Sequence, residues 1–552
     1  KRGEARMILR NPGNLIALAG CLALGAVLGC LQIADGSEWC DRQAEGSVTV
    51  MFYLNGDNDL TDEVLSAVDR LETVGASPAV HVVALVDGHP AGTGRYGRIW
   101  SGTHLLYITE DDQTGQINSP VLADWGEQDL GRPDTVTRFV RTAVDRFPAR
   151  RYVFCAFAHG KGVIDTGNLG GSSATKTLFI SSDDSSGSIM SLTSFAAALE
   201  KGLDGRRFSL TVLFSCLSGM VEIAYELSDV TDYLIASEDE IRLVNDPPGT
   251  HQLRGIFVED LPRYLKADPL LPDTELAVRV IDHFIQPYHQ AVPVVNPAGG
   301  ETFVRHAAGL ALIDCRAADR LAAALDDLAA RLIDSLNRPD RVVPTLADIG
   351  DALDRTQRFK SFLNLEYYDL LQWLEAMAAA SKDQAIRRSC RRSAEILGSQ
   401  VVCYERHTEN IGANGLSIYF SHHSVPENVH TAHRKMYDRT RFSRDTRWNE
   451  LIGAYRRQLQ RHHLELLAYQ CRQAHRRGDL QAARRSAKQL LRQLSPRIQQ
   501  QRPGDDRRIA ILLDALPADI VEELQKKPAQ DSFSAPVSNQ KSGSNSAESP
   551  HR

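Results

Sequence analysis

The sequence lacks the short motifs that mark several common enzyme classes. Among its 552 residues there is no glycine-rich phosphate-binding loop, no paired Cys-x-x-Cys zinc site and no His-Glu-x-x-His helix. The net charge of −7 has the opposite sign to that expected of a nucleic-acid-binding protein. A phosphotransferase or a metalloprotease would therefore have to be built without its usual signature, and we expect no nucleic-acid partner.

Cysteine is sparse, and its spacing fits neither a metal site nor a disulfide-stabilised domain. Cys155 lies inside an apolar run and is interpreted as a small core residue. Cys216 is different, because it follows an apolar run and precedes a helical pattern. The nine cysteines are Cys21, Cys30, Cys40, Cys155, Cys216, Cys315, Cys390, Cys403 and Cys471.

Two apolar runs each end on a side chain that can take part in catalysis. Residues 152–158 lead into His159, and residues 208–214 lead into Ser215 and Cys216. Both runs are bounded by turn-type residues and are too short for helices, which predicts buried strands. Buried strands separated by helices indicate a parallel sheet, and ligands gather at the carboxyl edge of such sheets. We therefore expect His159 and Cys216 to face one crevice, as a thiol nucleophile and its general base must.

The region around these runs alternates between strand and helix patterns. Asp134, which follows Pro133, is expected to cap its helix. The alternation predicts an α/β fold, with a mostly parallel sheet between helices on both faces. Further strands are predicted over residues 48–54, 80–86 and 233–236, and helices over residues 60–74, 134–147, 191–201 and 218–227.

The N-terminal residues are typical of an export signal. Basic residues precede an apolar stretch over residues 15–31, and small residues come directly before Cys30. We predict a signal peptide over residues 1–30 with a lipoprotein box in which Cys30 is lipidated. The protein would then be an exported, membrane-anchored lipoprotein of a bacterial cell envelope, facing the periplasm or the exterior. A plain signal peptide and a single membrane anchor are the alternatives.

Ordered blocks between residues 48 and 455 resemble the clostripain-like cysteine peptidases, relatives of the caspases, gingipains and legumains. His159-Gly160 resembles the family's His-Gly motif, and Ser215-Cys216-Leu217 resembles its nucleophile segment. The other blocks are residues 50–60, 125–134, 182–187, 235–238, 415–420 and 446–448.

This resemblance implies a caspase-like catalytic core over residues 46–300, continued by the C-terminal part of the peptidase region over residues 301–455. It implies a cysteine endopeptidase with a protein or peptide substrate, in which Cys216 attacks and His159 acts as the base. The backbone N–H groups of Gly160 and Cys216 would stabilise the oxyanion. No third residue that orients His159 is evident. A non-peptide amide hydrolase, a transpeptidase and a non-catalytic surface-binding protein are the alternatives.

The resemblance also implies a substrate pocket lined by Phe214, Ser215, Ser237 and Glu238. The family usually carries an acidic residue two positions before the nucleophile, where Phe214 stands in this chain. An aromatic ring offers a basic side chain only a weaker contact than a carboxylate does. Either an acid elsewhere, such as Asp239 or Asp246, takes over that role, or the residue before the cleaved bond is apolar or small.

No metal or other cofactor is required by these motifs. Four loop carboxylates, Asp57, Asp59, Asp183 and Asp184, offer the oxygen ligands that calcium prefers, and some relatives use that ion. Such residues are more often turn formers and helix caps. Calcium is therefore the alternative to an enzyme without a cofactor.

The composition changes after the matched region. Residues 456–525 are predicted to form a basic helical extension, with an apolar stripe at Leu464, Leu467, Cys471 and Ala474. We interpret it as a helical hairpin packed on the catalytic domain, with a partner-binding or anionic-surface role as the alternative. Residues 526–552 are rich in Ser, Asn, Lys and Pro and are predicted to be disordered.

Overall fold

A computed structural model describes most of the chain between residues 47 and 526. The predicted signal peptide with Cys30, Asp246 and the tail from residue 527 lie outside the described residues. The described residues are 47–89, 96, 100–163, 180–242, 244–245, 253–254, 256–289, 291–295, 301–304, 306–360, 366–409, 411–422, 424–500 and 505–526.

Strands and helices alternate through the first half, and helices predominate after residue 315. The strands are β1 Val48–Gly56, β2 Val80–Gly88, β3 Gly102–Tyr107, β4 Val121–Gly126, β5 Arg151–Phe157, β6 Ile180–Asp183, β7 Ser188–Met190, β8 Phe208–Phe214, β9 Thr231–Ala236, β10 Val244–Asn245, β11 Leu253–Arg254, β12 Val292–Val295, β13 Glu301–Val304, β14 Gly309–Asp314, β15 Arg358–Lys360, β16 Glu366–Asp369, β17 Val402–His407 and β18 Ser417–Tyr419. The α-helices are α1 Thr61–Glu72, α2 Pro133–Arg146, α3 Leu192–Leu203, α4 Val221–Glu226, α5 Asp260–Ala267, α6 Asp273–Ile285, α7 Ala318–Leu336, α8 Val342–Arg355, α9 Leu370–Ala380, α10 Gln384–Ile396, α11 Glu427–Tyr437, α12 Arg441–Asp445, α13 Trp448–Arg461, α14 His463–Arg476, α15 Leu480–Gln500, α16 Asp505–Asp514 and α17 Ala518–Lys526.

A nine-stranded sheet forms the centre of the molecule, in the order β17-β14-β9-β8-β5-β1-β2-β3-β4. The five middle strands, from β9 to β2, are parallel to one another. An antiparallel pair closes each side, β3 with β4 next to β2, and β14 with β17 next to β9. The parallel strands therefore lie at the centre, where their carboxyl ends share one edge.

Helices cover both faces of this sheet because the side chains of each strand alternate between the faces. In β1, Phe52 faces a core formed with α1, α5 and α6. Its neighbour Tyr53 faces the other core, formed with α2, α3, α4 and the helices from α7 to α13. The middle strands are buried on both faces, and this explains why they appear in the sequence as continuous apolar runs.

One helix start differs from its prediction. Arg132, not Asp134, is the N-cap of α2, and Pro133 occupies the first helical position. Proline is favoured there because that position has no intrahelical partner for an N–H group. Ser191 caps α3 as its sequence indicates, since Ser191 Oγ accepts from Ser194 N.

The C-terminal part of the peptidase region contacts the segment that follows Cys216. Strand β18 belongs to a small antiparallel sheet with β15 and β16. Ser417 N donates to Gly219 O at 2.9 Å. The fully buried Glu222 accepts from Tyr419 N at 3.0 Å. Residues about 200 positions apart are thus joined directly behind the nucleophile turn.

Helices α14 to α17 have a small apolar core of their own. Leu464, Leu467 and Cys471 are buried in it, and Ala474 packs against it. Helices α14 and α15 contact each other along their lengths, and α14 also contacts α8. Within the part of the chain that the structure describes, no helix combines the length and apolar character needed to cross a membrane.

Candidate active site

Strands β5 and β8 bring His159 and Cys216 to the same edge of the sheet. Their parallel register pairs Phe157 with Phe214, an offset of 57 positions that also relates His159 to Cys216. The next residue, Gly160, lies against the nucleophile segment. A Cβ atom at Gly160 would lie 2.5 Å from Cys216 O and 3.2 Å from Cys216 N. Glycine is therefore needed for the two backbones to approach this closely.

The Cys216 thiol is partly buried beneath the segment that follows β9. Ile241 N donates to Cys216 Sγ at 3.2 Å. Burial raises the pKa of the Cys216 thiol to about 11, and the negative charges of Glu240 and Asp239 add to this effect. In this arrangement the thiol keeps its proton at neutral pH, so a nearby base is needed to produce the nucleophile.

Asp59 orients the imidazole of His159. His159 Nε2 donates to Asp59 Oδ1 at 2.5 Å, and this assigns the ring proton to Nε2 and leaves Nδ1 free to accept one. The sequence offered no such residue, because Asp59 stands 100 positions before His159 in a turn after β1. Proximity of the two side chains follows from the pairing of β1 with β5.

Replacing Asp59 by Asn is expected to lower kcat with little change in KM, because Asn keeps the shape but not the charge that holds the ring. A buried aspartate in this role contributes about 10⁴-fold in serine proteases. The Asp59 side chain is 83% exposed, so we expect a smaller loss of roughly 10- to 100-fold. Steady-state kinetics of Asp59→Asn and of the exposed control Asp112→Asn would measure this. Equal kcat values for the two variants would exclude an orienting role.

The turn after the nucleophile has an unusual backbone conformation. Leu217 has φ of 56°, which is strained for a residue with a side chain. Its N–H group donates to Asp239 O at 3.1 Å, and Gly219 N donates to Ser237 O at 2.6 Å. The segment after β9 therefore holds the nucleophile turn in place, and this role was not visible in the sequence.

Phe214 and Ser215 were predicted to line the substrate pocket. The Phe214 side chain is 2% exposed and stacks on Phe284, with ring centroids 6.3 Å apart. Ser215 is also buried, and its Oγ has no hydrogen-bond partner among the described residues. Phe214 thus lies in the core below the sheet edge, and contact of either residue with a substrate stays a prediction.

Ser237 and Glu238, the other two predicted pocket residues, make hydrogen bonds that hold loops in place in this structure. Ser237 Oγ donates to Asp239 O at 3.0 Å. Glu238 Oε2 accepts from Asn414 N at 3.0 Å and from Gly415 N at 2.6 Å. Burial raises the pKa of the Glu238 carboxyl well above its usual range. Their contribution to a pocket also stays a prediction.

The four carboxylates considered for calcium separate into two groups. Asp57 and Asp183 lie together, whereas Asp59 binds His159. The exposed Asp184 is connected to Asp57 through its backbone N–H group. Two residues that the sequence did not single out complete the group, which consists of Asp57, Asp87, Glu127 and Asp183.

A thiol and an imidazole at the carboxyl edge of a parallel sheet are the side chains that a cysteine hydrolase requires. The chain belongs to the clostripain family of cysteine peptidases, whose model matches residues 52–455. Clostripain from Hathewaya histolytica is 25% identical over 137 residues, which are 23% of this chain and 26% of that protein. The chain thus matches about a quarter of the length of this curated relative.

The predicted fold is confirmed by a similar solved structure. A secreted C11 cysteine protease from Bacteroides thetaiotaomicron, iotapain, aligns with a TM-score of 0.50 and 16% identity, over 73% of this chain and 99% of its own. A structure of a secreted C11 cysteine protease from the same organism, with an irreversible peptide inhibitor, aligns with a TM-score of 0.49 and 17% identity, over 74% and 98% of the two chains.

Proposed function

We propose that the protein is an endopeptidase that cleaves peptide bonds through Cys216 and His159. The observation that supports this proposal is the register of β5 and β8, in which the two strands end together at Phe157 and Phe214, each two positions before one of these residues. Family membership supports the same reaction. The alternatives, hydrolysis of another amide and transpeptidation, use the same pair of residues and differ in their products.

The reaction follows from the chemistry of the two side chains. His159 accepts the thiol proton of Cys216 as sulfur attacks the carbonyl carbon, and a tetrahedral oxyanion forms. The imidazolium then gives its proton to the leaving amine as the C–N bond breaks, and an acyl thioester remains on Cys216. A water molecule, deprotonated by His159, hydrolyses the thioester and regenerates the thiol. Gly160 and Cys216 supply the N–H groups for the oxyanion.

Asp239 is our candidate for the acid that recognises a basic side chain before the cleaved bond. Asp239 and Glu240 lie close enough to Cys216 for their charges to raise the pKa of its thiol. Asp239 is also fixed beside the nucleophile turn, since its carbonyl accepts from Leu217 N. A carboxylate at this place could replace the acid that is absent from position 214. We therefore propose a preference for Arg or Lys.

Cleavage-site profiling of a peptide library by mass spectrometry tests both parts of the proposal. We expect new termini after Arg or Lys, with water as the acceptor, and a shift of preference in Asp239→Asn. Cleavage after apolar residues in both proteins would contradict the role of Asp239 but not the endopeptidase. Transfer of the acyl group to added amines without hydrolysis, or complete absence of cleavage, would contradict the endopeptidase itself.

We also propose that the protein is exported and anchored by a lipid on Cys30. The basic and apolar pattern of residues 1–30 supports this, and a cysteine after small residues fits lipoprotein processing. The similar protein iotapain is described as secreted. Recovery in the membrane fraction should be lost in Cys30→Ser, and equal recovery of both proteins would contradict the anchor.

A further inference from the structure

Two buried carboxyl groups meet beside the segment that follows β9. Glu238 lies in that segment and is 3% exposed, and Asp369, the last residue of β16, is fully buried. Asn414 N donates both to Glu238 Oε2 at 3.0 Å and to Asp369 Oδ2 at 2.7 Å. Because one N–H group reaches both oxygens, they lie roughly 4 Å apart or closer. We call Glu238 and Asp369 the carboxyl pair.

The hydrogen-bond donors to the carboxyl pair are neutral groups. Gly415 N donates to Glu238 Oε2 at 2.6 Å, Asn414 Nδ2 to Asp369 Oδ2 at 3.1 Å, and Gln372 N to Asp369 Oδ1 at 2.8 Å. Among the residues that the structure describes, no basic side chain forms an ion pair with either carboxyl, and Glu238 Oε1 is buried without a hydrogen-bond partner. Two carboxylates this close, buried and without a cation, cannot both be ionised without a large cost.

The charges around the carboxyl pair favour retention of a proton. Glu405 of β17 adds negative charge, and its Oε2 is bonded to His407 Nδ1 at 2.7 Å. Arg406 and Asp239 line a small cavity that also touches the pair. The guanidinium of Arg406 is engaged elsewhere, since its Nε donates to Asp282 Oδ1 at 3.2 Å. The surroundings of the two carboxyl groups therefore remain negative.

We propose that Glu238 and Asp369 share one proton at neutral pH and act together as positioning residues for the nucleophile turn. A proton between Glu238 Oε2 and Asp369 Oδ2 removes one of the two charges and turns their contact into a charge-assisted O–H···O hydrogen bond. Burial raises the pKa of the Asp369 carboxyl to about 6. Burial, and then the charge of Asp369, raises the pKa of the Glu238 carboxyl well above its usual range. Both directions agree with one retained proton.

The carboxyl pair joins the two segments that support the nucleophile turn. The residues on either side of Glu238 accept hydrogen bonds from this turn through their carbonyl groups. Gly415, which donates to Glu238, leads into β18, where Ser417 N donates to Gly219 O at 2.9 Å. Loss of the shared proton would leave two like charges between these segments and push them apart. This consequence for catalysis rests on the proposed function.

Asp369→Asn tests the shared proton, because an amide can keep a hydrogen on the atom that faces Glu238 at every pH. Carboxyl groups with a raised pKa stabilise the folded protein fully below their unfolded-state pKa of about 4, and this stabilisation is lost as the pH rises through their folded-state values. The melting temperature of full-length Asp369→Asn minus that of the unsubstituted protein should therefore increase by roughly 3 °C between pH 5 and pH 9. Glu238→Gln should show the same upward trend.

The matched control is Asp383→Asn. Asp383 caps α10 as Asp369 caps α9, since Asp383 Oδ1 accepts from Ala385 N at 2.7 Å. Its other oxygen accepts from Arg341, so that a cation stands where the carboxyl pair has a second acid. Asparagine is as good an N-cap as aspartate. The difference in melting temperature between Asp383→Asn and the unsubstituted protein should stay constant between pH 5 and pH 9.

The pH dependence of kcat is the second measurement. In the unsubstituted protein kcat should fall reversibly by about half or more at alkaline pH, before the Cys216 thiol ionises, and in Asp369→Asn this fall should move to higher pH. Melting differences that are equally independent of pH in Asp369→Asn and Asp383→Asn would overturn the shared proton. A rising difference with identical pH profiles of kcat would overturn the positioning role. A protein that cleaves no peptide would contradict the proposed function alone, because the melting measurement does not use activity.

Discussion

Replacing Cys216 by Ala is expected to abolish peptide hydrolysis. Removal of the nucleophile of a comparable protease lowers kcat by about 10⁶-fold, so residual activity should fall below detection. Cys403→Ala is a suitable control because Cys403 is an exposed thiol away from the site. An acyloxymethyl-ketone inhibitor should add its mass to one residue, Cys216. Full activity of Cys216→Ala would contradict the proposed mechanism.

His159→Ala is expected to produce a loss nearly as large, for a reason that the structure makes explicit. With a pKa of about 11, only about one Cys216 thiol in 10⁴ is ionised at pH 7 without a base. In His159→Ala the rate of alkylation by iodoacetamide should therefore rise about tenfold per pH unit between pH 7 and 10. His475→Ala, in the C-terminal helices, is the control. Rapid, pH-independent alkylation of His159→Ala would mean that another group ionises the thiol.

Gly160→Ala is expected to lower activity substantially, although less than the substitutions of Cys216 and His159. Its Cβ atom would lie 2.5 Å from Cys216 O and 2.9 Å from Ser215 Cβ, so the backbone around the nucleophile must move. Displacement of an oxyanion donor costs roughly 10²- to 10³-fold in kcat. We expect a loss of that size in kcat while the protein remains folded, as measured by kinetics and circular dichroism.

Gly398→Ala provides the matched comparison for Gly160→Ala. Among the described residues, no atom outside its own helical turn lies within 4 Å of a Cβ atom at Gly398, and its φ lies outside the left-handed region. This variant should keep full activity and melt at the temperature of the unsubstituted protein or slightly above it. Equal activity of the two glycine variants would show that the close contact at Gly160 is not needed for catalysis.

The parallel centre of the sheet was predictable because burial on both faces leaves continuous apolar runs. Strand β8 has the predicted bounds, Phe208–Phe214. The antiparallel strands at the two sides of the sheet were not predicted. Strand β4 is largely exposed, and β17 is partly exposed with mixed polarity. Neither alternates long enough to be distinguished from a loop.

The site residues also differ in whether the sequence could reveal them. His159 and Cys216 could be found because each directly follows an apolar run that predicts a strand. Asp87 and Glu127 stand as single acids at separate strand ends, and only the pairing of β2, β3 and β4 brings them to Asp57 and Asp183. The sequence also could not give the direction of the Asp59 side chain, which depends on the turn after β1.

The hydrogen bond that Ser417 N donates to Gly219 O has a consequence for synthesis of the protein. The ribosome makes Gly219 about 200 residues before Ser417, so the nucleophile turn lacks this support while the chain is growing. Trp373 of α9 packs against Trp448 of α13, and Trp448 donates a hydrogen bond to Tyr419 O in β18. Both helices are likewise translated late. The contact that supports the nucleophile turn can therefore form only after the segment containing Ser417 has been translated.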